Sequence, residues 1–510
     1  MHANQKQRFY HYGLLTLVCI LLYSGVFSLG FFSDDFQGIE RYKQMGYGGM
    51  SDNYNNPFFM PISFWVQLTE LRLFGENYFA IKCINLILFS STALSIYHLS
   101  LKIGEQLKLE SSLKILAALG VSLLFICSPY QTEAINWFAS QAYLLSTLCV
   151  VLALNLYLKY RSTQKPVHFA GYLLLFFLAL LNKEIAIITP LIAFGLGLLL
   201  FNSQHGIIKR TIGVSSVFVL YLFFRYLYLG ELVGGYGMDA HLNFDFALLL
   251  SATLAYIAKF FLFYRYIPQE LKSLIIIATG ALLAAMIAYL FFSKTNKGQL
   301  LRVSTGLLFL FLVSLLPVLN LETTFLGEIQ SDRYGYLPSV FFAILLVFPL
   351  VLLFKKHTSL LFLPLIVFSA LLTVHTNQVW KEAATVRDNF ISSVKELGYD
   401  RGNIIVNLPD TYEGIYLFRH GFDECLGFEI TKNIRTLYSH ALTRDNHIIH
   451  QKMDDGVIHV QIYKGRISPL NNEYSVALRT SDGHTVLIDA EVASYNSIYY
   501  FDNNRLIRAN

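Results

Sequence analysis

The stretch YGLLTLVCILLYSGVFSLGFFSDD, residues 12–35, decides how the chain is read. From Tyr12 to Phe32 it is apolar for long enough to cross a bilayer as a helix, and it ends on two adjacent acids, Asp34 and Asp35. Lys6 and Arg8 before it would also suit a signal peptide. No small-x-small cleavage site follows, so an uncleaved first span is expected.

The rest of the chain repeats the pattern. Its 510 residues are 55% hydrophobic and 14% charged, whereas soluble domains run at about a quarter charged. Further apolar runs lie at 78–101, 114–128, 138–158, 169–182, 185–202, 211–229, 246–263, 274–293, 302–320, 336–354 and 360–375. Lys and Arg mark cytoplasmic loops. Lys102, Lys108, Lys159, Arg161, Lys165, Lys209, Arg210, Lys294, Lys297, Lys355 and Lys356 all fall on one side if the N-terminus is inside and 246–263 does not cross. Lys259, Arg265 and Lys272 suit an interfacial helix there. The expectation is a polytopic α-helical membrane protein with about eleven crossings, N-terminus inside and C-terminus outside. The net charge of +5 comes from these loop clusters, so no nucleic-acid partner is expected.

After His375 the composition changes, which divides the chain into a membrane domain, 1–376, and a soluble domain, 377–510. Residues 378–397 read as an amphipathic helix, and Ile404-Ile405-Val406, Tyr416-Leu417-Phe418 and 457–463 as strands, giving a small α/β domain. His447 and His450 can share a helix face, but without a third ligand they make no metal site. Cys19, Cys83, Cys127, Cys149 and Cys425 show neither a disulfide framework nor zinc spacing.

Acidic residues gather on the outer side, where four motifs can carry chemistry. Asp34-Asp35 supplies a carboxylate to take an acceptor proton and a second acid to orient the acceptor, hold a metal or raise the first acid's proton affinity; two acids ending a span in water are the alternative. Asn182-Lys183-Glu184 sets charge inside an apolar stretch, which is costly unless used; a snorkelling turn explains Lys183 more easily than Glu184. In Ser331-Asp332-Arg333-Tyr334-Gly335-Tyr336-Leu337-Pro338-Ser339, the Arg333 fork suits phosphate oxygens, and Tyr334 and Tyr336 can bracket a sugar or lipid head group or form an aromatic belt. Between the third and fourth runs, Glu133 can bind acceptor or metal, and Trp137 can stack on a sugar or anchor at the interface.

In this order, the motifs resemble those of the GT-C glycosyltransferase superfamily, and within it the transmembrane O-mannosyltransferases that usually carry tetratricopeptide repeats. The matching residues are Asp34-Asp35, Asn56-Pro57 with Pro61, Asn85, Pro129 with Thr132-Glu133-Ala134 and Trp137, Lys183-Glu184-Ile185-Ala186, and Arg333 to Ser339. The likeness covers about residues 10–390. Met60 stands where the family often has Arg, Ser128 where it has His, and Gln141 where a basic residue is common. The repeats are missing, and the C-terminal domain stands in their place.

The resemblance implies a GT-C-like fold and transfer, with inversion, of a sugar from a polyprenyl-phosphate donor in the membrane to a protein, lipid or glycan acceptor on the non-cytoplasmic face. Asp34 would be the base and Asp35 its partner. Arg333 and Lys183, with Tyr334 and Tyr336, would hold the donor phosphate. Glu133, Glu184 and Trp137 would shape the acceptor side or pair with the cations. A divalent metal fits the chemistry, but no ligand set demands one. The expected location is a bacterial inner membrane, with the C-terminal domain in the periplasm. The competing readings are a polytopic transporter, which would show repeated halves and charge near mid-membrane, and a membrane-anchored binding protein.

Overall fold

A computed structural model describes residues 2–47, 58–201, 206–232, 245–268, 270–271, 273–274, 277, 297–319, 328–397, 402–444, 448–454, 457–462, 466–470, 477–479, 485–489 and 496–509. The Asn56-Pro57 motif, most of the 274–293 run and His447 lie outside them.

The helical part runs α1 His2–Tyr23, α2 Asp34–Met45, α3 Pro61–Phe74, α4 Tyr78–Gln106, α5 Ser111–Ile126, α6 Thr132–Asn136, α7 Gln141–Thr163, α8 Pro166–Asn182, α9 Thr189–Leu200, α10 Ile207–Leu229 and α11 Phe246–Leu262. It continues through α12 Lys297–Leu315, α13 Tyr336–Phe354 and α14 Thr358–Lys395. Starts and stops follow local chemistry: Asn77 accepts the Ala80 N–H at 3.2 Å to begin α4, and Pro opens α3 and α8.

Among the described residues, six helical segments are long and apolar enough to cross a membrane, or seven if the pair Ser111–Ile126 and Pro129–Asn136, bent by 57°, is one span. Apolar side chains such as Phe223 and Leu227 on α10, Leu198 on α9 and Leu371 on α14 stay exposed, as a lipid solvent allows. The chain is an integral membrane protein.

Two sequence expectations need correction. Lys259, expected at the membrane surface, is 1% exposed, because Asp332 neutralises it at 2.8 Å and Arg265 pairs with the same carboxylate. The helix over 378–397 is not separate: α14 passes unbroken through residues 376–377. Asn377 fixes it there, donating to the Leu22 carbonyl at 2.9 Å and accepting from Asn136 at 3.0 Å.

Among the described residues, the C-terminal part has ten strands, β1 Gly402–Tyr412, β2 Ile415–Tyr416, β3 Ile434–Leu442, β4 Ile448–Asp454, β5 Val457–Ile462, β6 Arg466–Pro469, β7 Ala477–Arg479, β8 Thr485–Asp489, β9 Asn496–Asp502 and β10 Arg505–Arg508. One sheet has the order β10-β9-β1-β3-β6 with β2 paired to β1, and the other is β4-β5-β8-β7. β1 is parallel to both β3 and β9, with its Ile404-Ile405-Val406 core buried. His450 lies in β4. The end of α14 docks on the sheet through Phe390, whose ring is 5.2 Å from both Phe418 and Phe501.

Candidate active site

The acid pair sits on a tight turn. Ser33 has φ 46° and ψ −116°, a left-handed conformation that costs a non-glycine residue about 1–3 kcal/mol. The Asp35 N–H closes the turn on the Phe32 carbonyl at 3.0 Å. The Asp35 side chain then accepts the main-chain N–H groups of Phe32 at 3.0 Å and Ala139 at 2.8 Å, which pins α2 to the segment after Trp137. Asp35 is 2% exposed, and burial pushes its carboxyl up to about 7 against the pull of those two N–H groups. Asp34 takes a hydrogen bond from Ser33 Oγ at 3.3 Å and lines an open cavity.

That cavity, about 600 Å³, collects residues from six separated stretches: Asp34 and Asp35, α3 with Ser63 and Gln67, Trp137 to Tyr143, Lys183, Arg333-Tyr334, and His420. Arg333 is gripped from behind by Glu133, whose carboxylate takes the Arg333 guanidinium at 2.5 Å and the Arg333 main-chain N–H at 2.7 Å. Its guanidinium lies 4.8 Å from the Trp137 ring and 4.6 Å from the Tyr334 ring. Lys183 follows a break between α8 and the 3-10 turn Glu184–Ile188, where one extended residue turns its amine inward. It pairs with Glu184 at 3.3 Å and rests against Met60 Sδ at 3.3 Å and the Phe58 ring at 4.9 Å.

Of the residues expected from sequence, Asp34, Asp35, Trp137, Lys183, Arg333 and Tyr334 line the cavity. Glu133 and Glu184 do not; each stands behind a cation that does. Tyr336 is a correction: two residues on from Tyr334, it is fully buried, its ring packed on Phe125 at 5.5 Å and Phe89 at 6.5 Å, so it is not at the cavity. Trp137 is not an interfacial anchor; it is 4% exposed and its indole N–H donates to the Phe32 carbonyl at 3.1 Å.

Residues that sequence reasoning missed come from other elements. His420, from the C-terminal domain, and Arg41, on α2, line the cavity. The Gln141 amide donates to Glu70 at 2.8 Å and to Asn85 at 2.9 Å. Glu70 is buried and its carboxyl is pushed up to about 7, so a neutral partner serves where a basic one was expected. Asn85 and Gln141 are named in the sequence reading through the resemblance, whereas Glu70 is not. Among the described residues, no group of three His, Cys, Asp or Glu side chains is placed to hold a metal ion.

No protein-family model matches the chain, and no curated protein sequence matches it. Solved structures similar to it include the Archaeoglobus fulgidus oligosaccharyltransferase in complex with Zn and sulfate, at TM-score 0.41 and 12% identity over 84% of this chain. The chain spans 62% of that protein. ArnT from Cupriavidus metallidurans bound to undecaprenyl phosphate is similar at TM-score 0.37 and 13% identity, over 86% of this chain and 95% of that one. The same ArnT in the apo state gives TM-score 0.37 and 13% identity over 97% and 99% of the two chains.

Proposed function

We propose that the chain is a GT-C-type glycosyltransferase that moves a sugar, with inversion, from a polyprenyl-phosphate donor to an acceptor hydroxyl on the non-cytoplasmic face. One observation carries this reading: a single cavity holds an acid with an open carboxylate, Asp34, beside two cations held by buried or half-buried carboxylates, Arg333 and Lys183.

Asp34 takes the acceptor proton as the acceptor oxygen bonds to the anomeric carbon from the face opposite the phosphate. The anomeric C–O bond breaks, and its electron pair leaves with the polyprenyl phosphate. Arg333 and Lys183 take up the charge on that phosphate, Arg333 with two-pronged geometry. Asp35 holds the turn that aims Asp34, and Trp137 and Tyr334 present rings to the sugar. Glu133 and Glu184 keep the cations ordered in a site of low dielectric.

The reading places the cavity and the C-terminal domain outside, in a bacterial periplasm, with about eleven crossings and 246–263 not spanning. The acceptor is a protein, lipid or glycan. A transporter is disfavoured because the charged residues meet at one end of the bundle, beside α2, α3 and the C-terminal domain.

The test is mass spectrometry of lipids co-purified with the protein, followed by transfer from the identified donor in nanodiscs. A polyprenyl-phosphate sugar that is turned over by wild type and not by Asp34→Asn is expected. Failure of wild type to bind or turn over any such lipid would overturn the reading.

A further inference from the structure

The C-terminal sheet holds a second polar crevice, away from the acid pair. The parallel strands β1 and β3 run on together to Tyr412 and Leu442, whereas their neighbour β9 ends earlier, at Asp502, its last pairing with β1 being Ile405 with Tyr499. From β1 the chain goes on towards β3, whereas from β9 it turns back into β10 on the other side. Open α/β sheets bind ligands beyond the carboxyl ends of their strands where neighbouring connections diverge in this way. Here that position is a cavity of about 250 Å³, walled on one side by Glu382 and Thr385 of α14.

Behind His440 and Phe501, which line it, the strands are joined by a buried amide. The Asn407 side chain accepts the Phe501 N–H at 2.8 Å, donates to the Phe501 carbonyl at 3.0 Å and meets His440 Nδ1 at 3.1 Å. Asn407 and His440 are buried at 0% and 1% exposure, in a place where apolar side chains would pack without needing partners. At the rim, Glu382 receives Arg444 at 2.8 and 3.0 Å and the Tyr412 hydroxyl at 3.2 Å. The turn joining β9 and β10 has Asn503 at φ 47° and Asn504 at φ 60°, where glycine is the easier residue. Two exposed amides are set there at the crevice instead.

We propose that this crevice binds a neutral oligosaccharide; that this is the glycan part of the acceptor rests on the glycosyltransferase reading. Sugar hydroxyls donate and accept alternately, which matches a rim of carboxylate, amide, phenol and guanidinium groups. A phosphate or nucleotide is a poor fit, because the Arg444 charge is already matched by Glu382 and Asp502 adds another negative charge. A peptide strand would add to a sheet edge through its main chain, not beyond the strand ends.

Full-length protein in nanodiscs is applied to an array of neutral, amino-sugar and acidic oligosaccharides, with unmodified peptides as controls. Retention on neutral glycans is expected, unchanged in Asp34→Asn. Asn504→Gly, which suits the left-handed turn, and Glu382→Gln should each weaken it by about tenfold with the melting temperature held, the effect of one good polar contact. Retention only on acidic glycans or peptides, no retention at all, or unchanged binding in both variants overturns the proposal. Glycan binding by a protein that transfers no sugar would leave the crevice standing and sink the enzyme reading; transfer with no glycan retention would do the reverse.

Discussion

The main-chain N–H of His420 donates to the Ser33 hydroxyl at 3.2 Å, across 387 positions of sequence. Close by, the Ser33 N–H donates to the Leu417 carbonyl at 3.0 Å. The C-terminal domain therefore holds the strained turn that presents Asp34, and the two parts of the chain build one site.

Gly421 makes that coupling testable. It has φ +79°, and an added Cβ would lie 2.7 Å from the Ser33 carbonyl oxygen, whereas Gly427, at φ +86°, has open space around it. Gly421→Ala carries left-handed strain of about 1–2 kcal/mol, and Gly427→Ala, at φ 86° and ψ 136°, carries backbone strain of its own with no contact to Ser33. Only Gly421→Ala pushes on Ser33, so only it should also lower the transfer rate. Equal activity in the two variants would mean the turn does not depend on this contact.

Asp34 and Asp35 should fail differently. Asp34→Asn is expected to lose about 10²–10⁴-fold in transfer rate with an unchanged melting temperature, as for removal of a base. Asp35→Asn leaves one of two buried N–H groups without an acceptor, so it should cost about 1–3 kcal/mol of stability as well. An active Asp34→Asn alongside a stable, inactive Asp35→Asn would exchange the two roles.

Arg333 separates charge from geometry. Arg333→Lys keeps the charge and loses the fork, so activity should fall yet remain measurable. Arg333→Ala strands the buried Glu133 carboxylate, with an expected loss of about 3–5 kcal/mol. Adding Glu133→Gln to Arg333→Ala should restore the melting temperature and leave transfer dead. Recovery of transfer in the double variant would remove Arg333 from the donor site.

Asp35 and Glu70 give the stability a pH dependence. Burial raises both carboxyls to about 7, above the value of about 4 in an unfolded chain. Each therefore takes up its proton more readily when folded. Their contribution is complete below about pH 4, declines as pH rises and is gone above about pH 7. Melting temperatures across this window should fall with rising pH, and Glu70→Gln should flatten the fall. A slope unaltered by Glu70→Gln and Asp35→Asn would place the titration elsewhere.

Topology can be read with single cysteines at 297 and 503 in a background lacking the five native, unpaired cysteines. An impermeant thiol reagent applied from outside should label position 503 and spare 297. The opposite pattern would put the cavity on the cytoplasmic side.

The long apolar runs, the polar breaks between them and the acid pair were legible because each depends only on neighbouring residues. A span of about 20 residues saturates its backbone hydrogen bonds internally, so its composition declares it. Residues 182–184 declared themselves in the same way, since charge inside an apolar run needs a reason. Packing alone decided that Tyr336 points into the bundle while Tyr334, two residues earlier, faces the cavity. It also decided that Lys259 is matched to Asp332 and not exposed to lipid head groups. His420 carried no signal, because its place beside Asp34 comes from the docking of the sheet through Phe390 and Phe501 onto α14. Such contacts are set by the shapes of surfaces far apart in the chain, and no local pattern encodes which will meet.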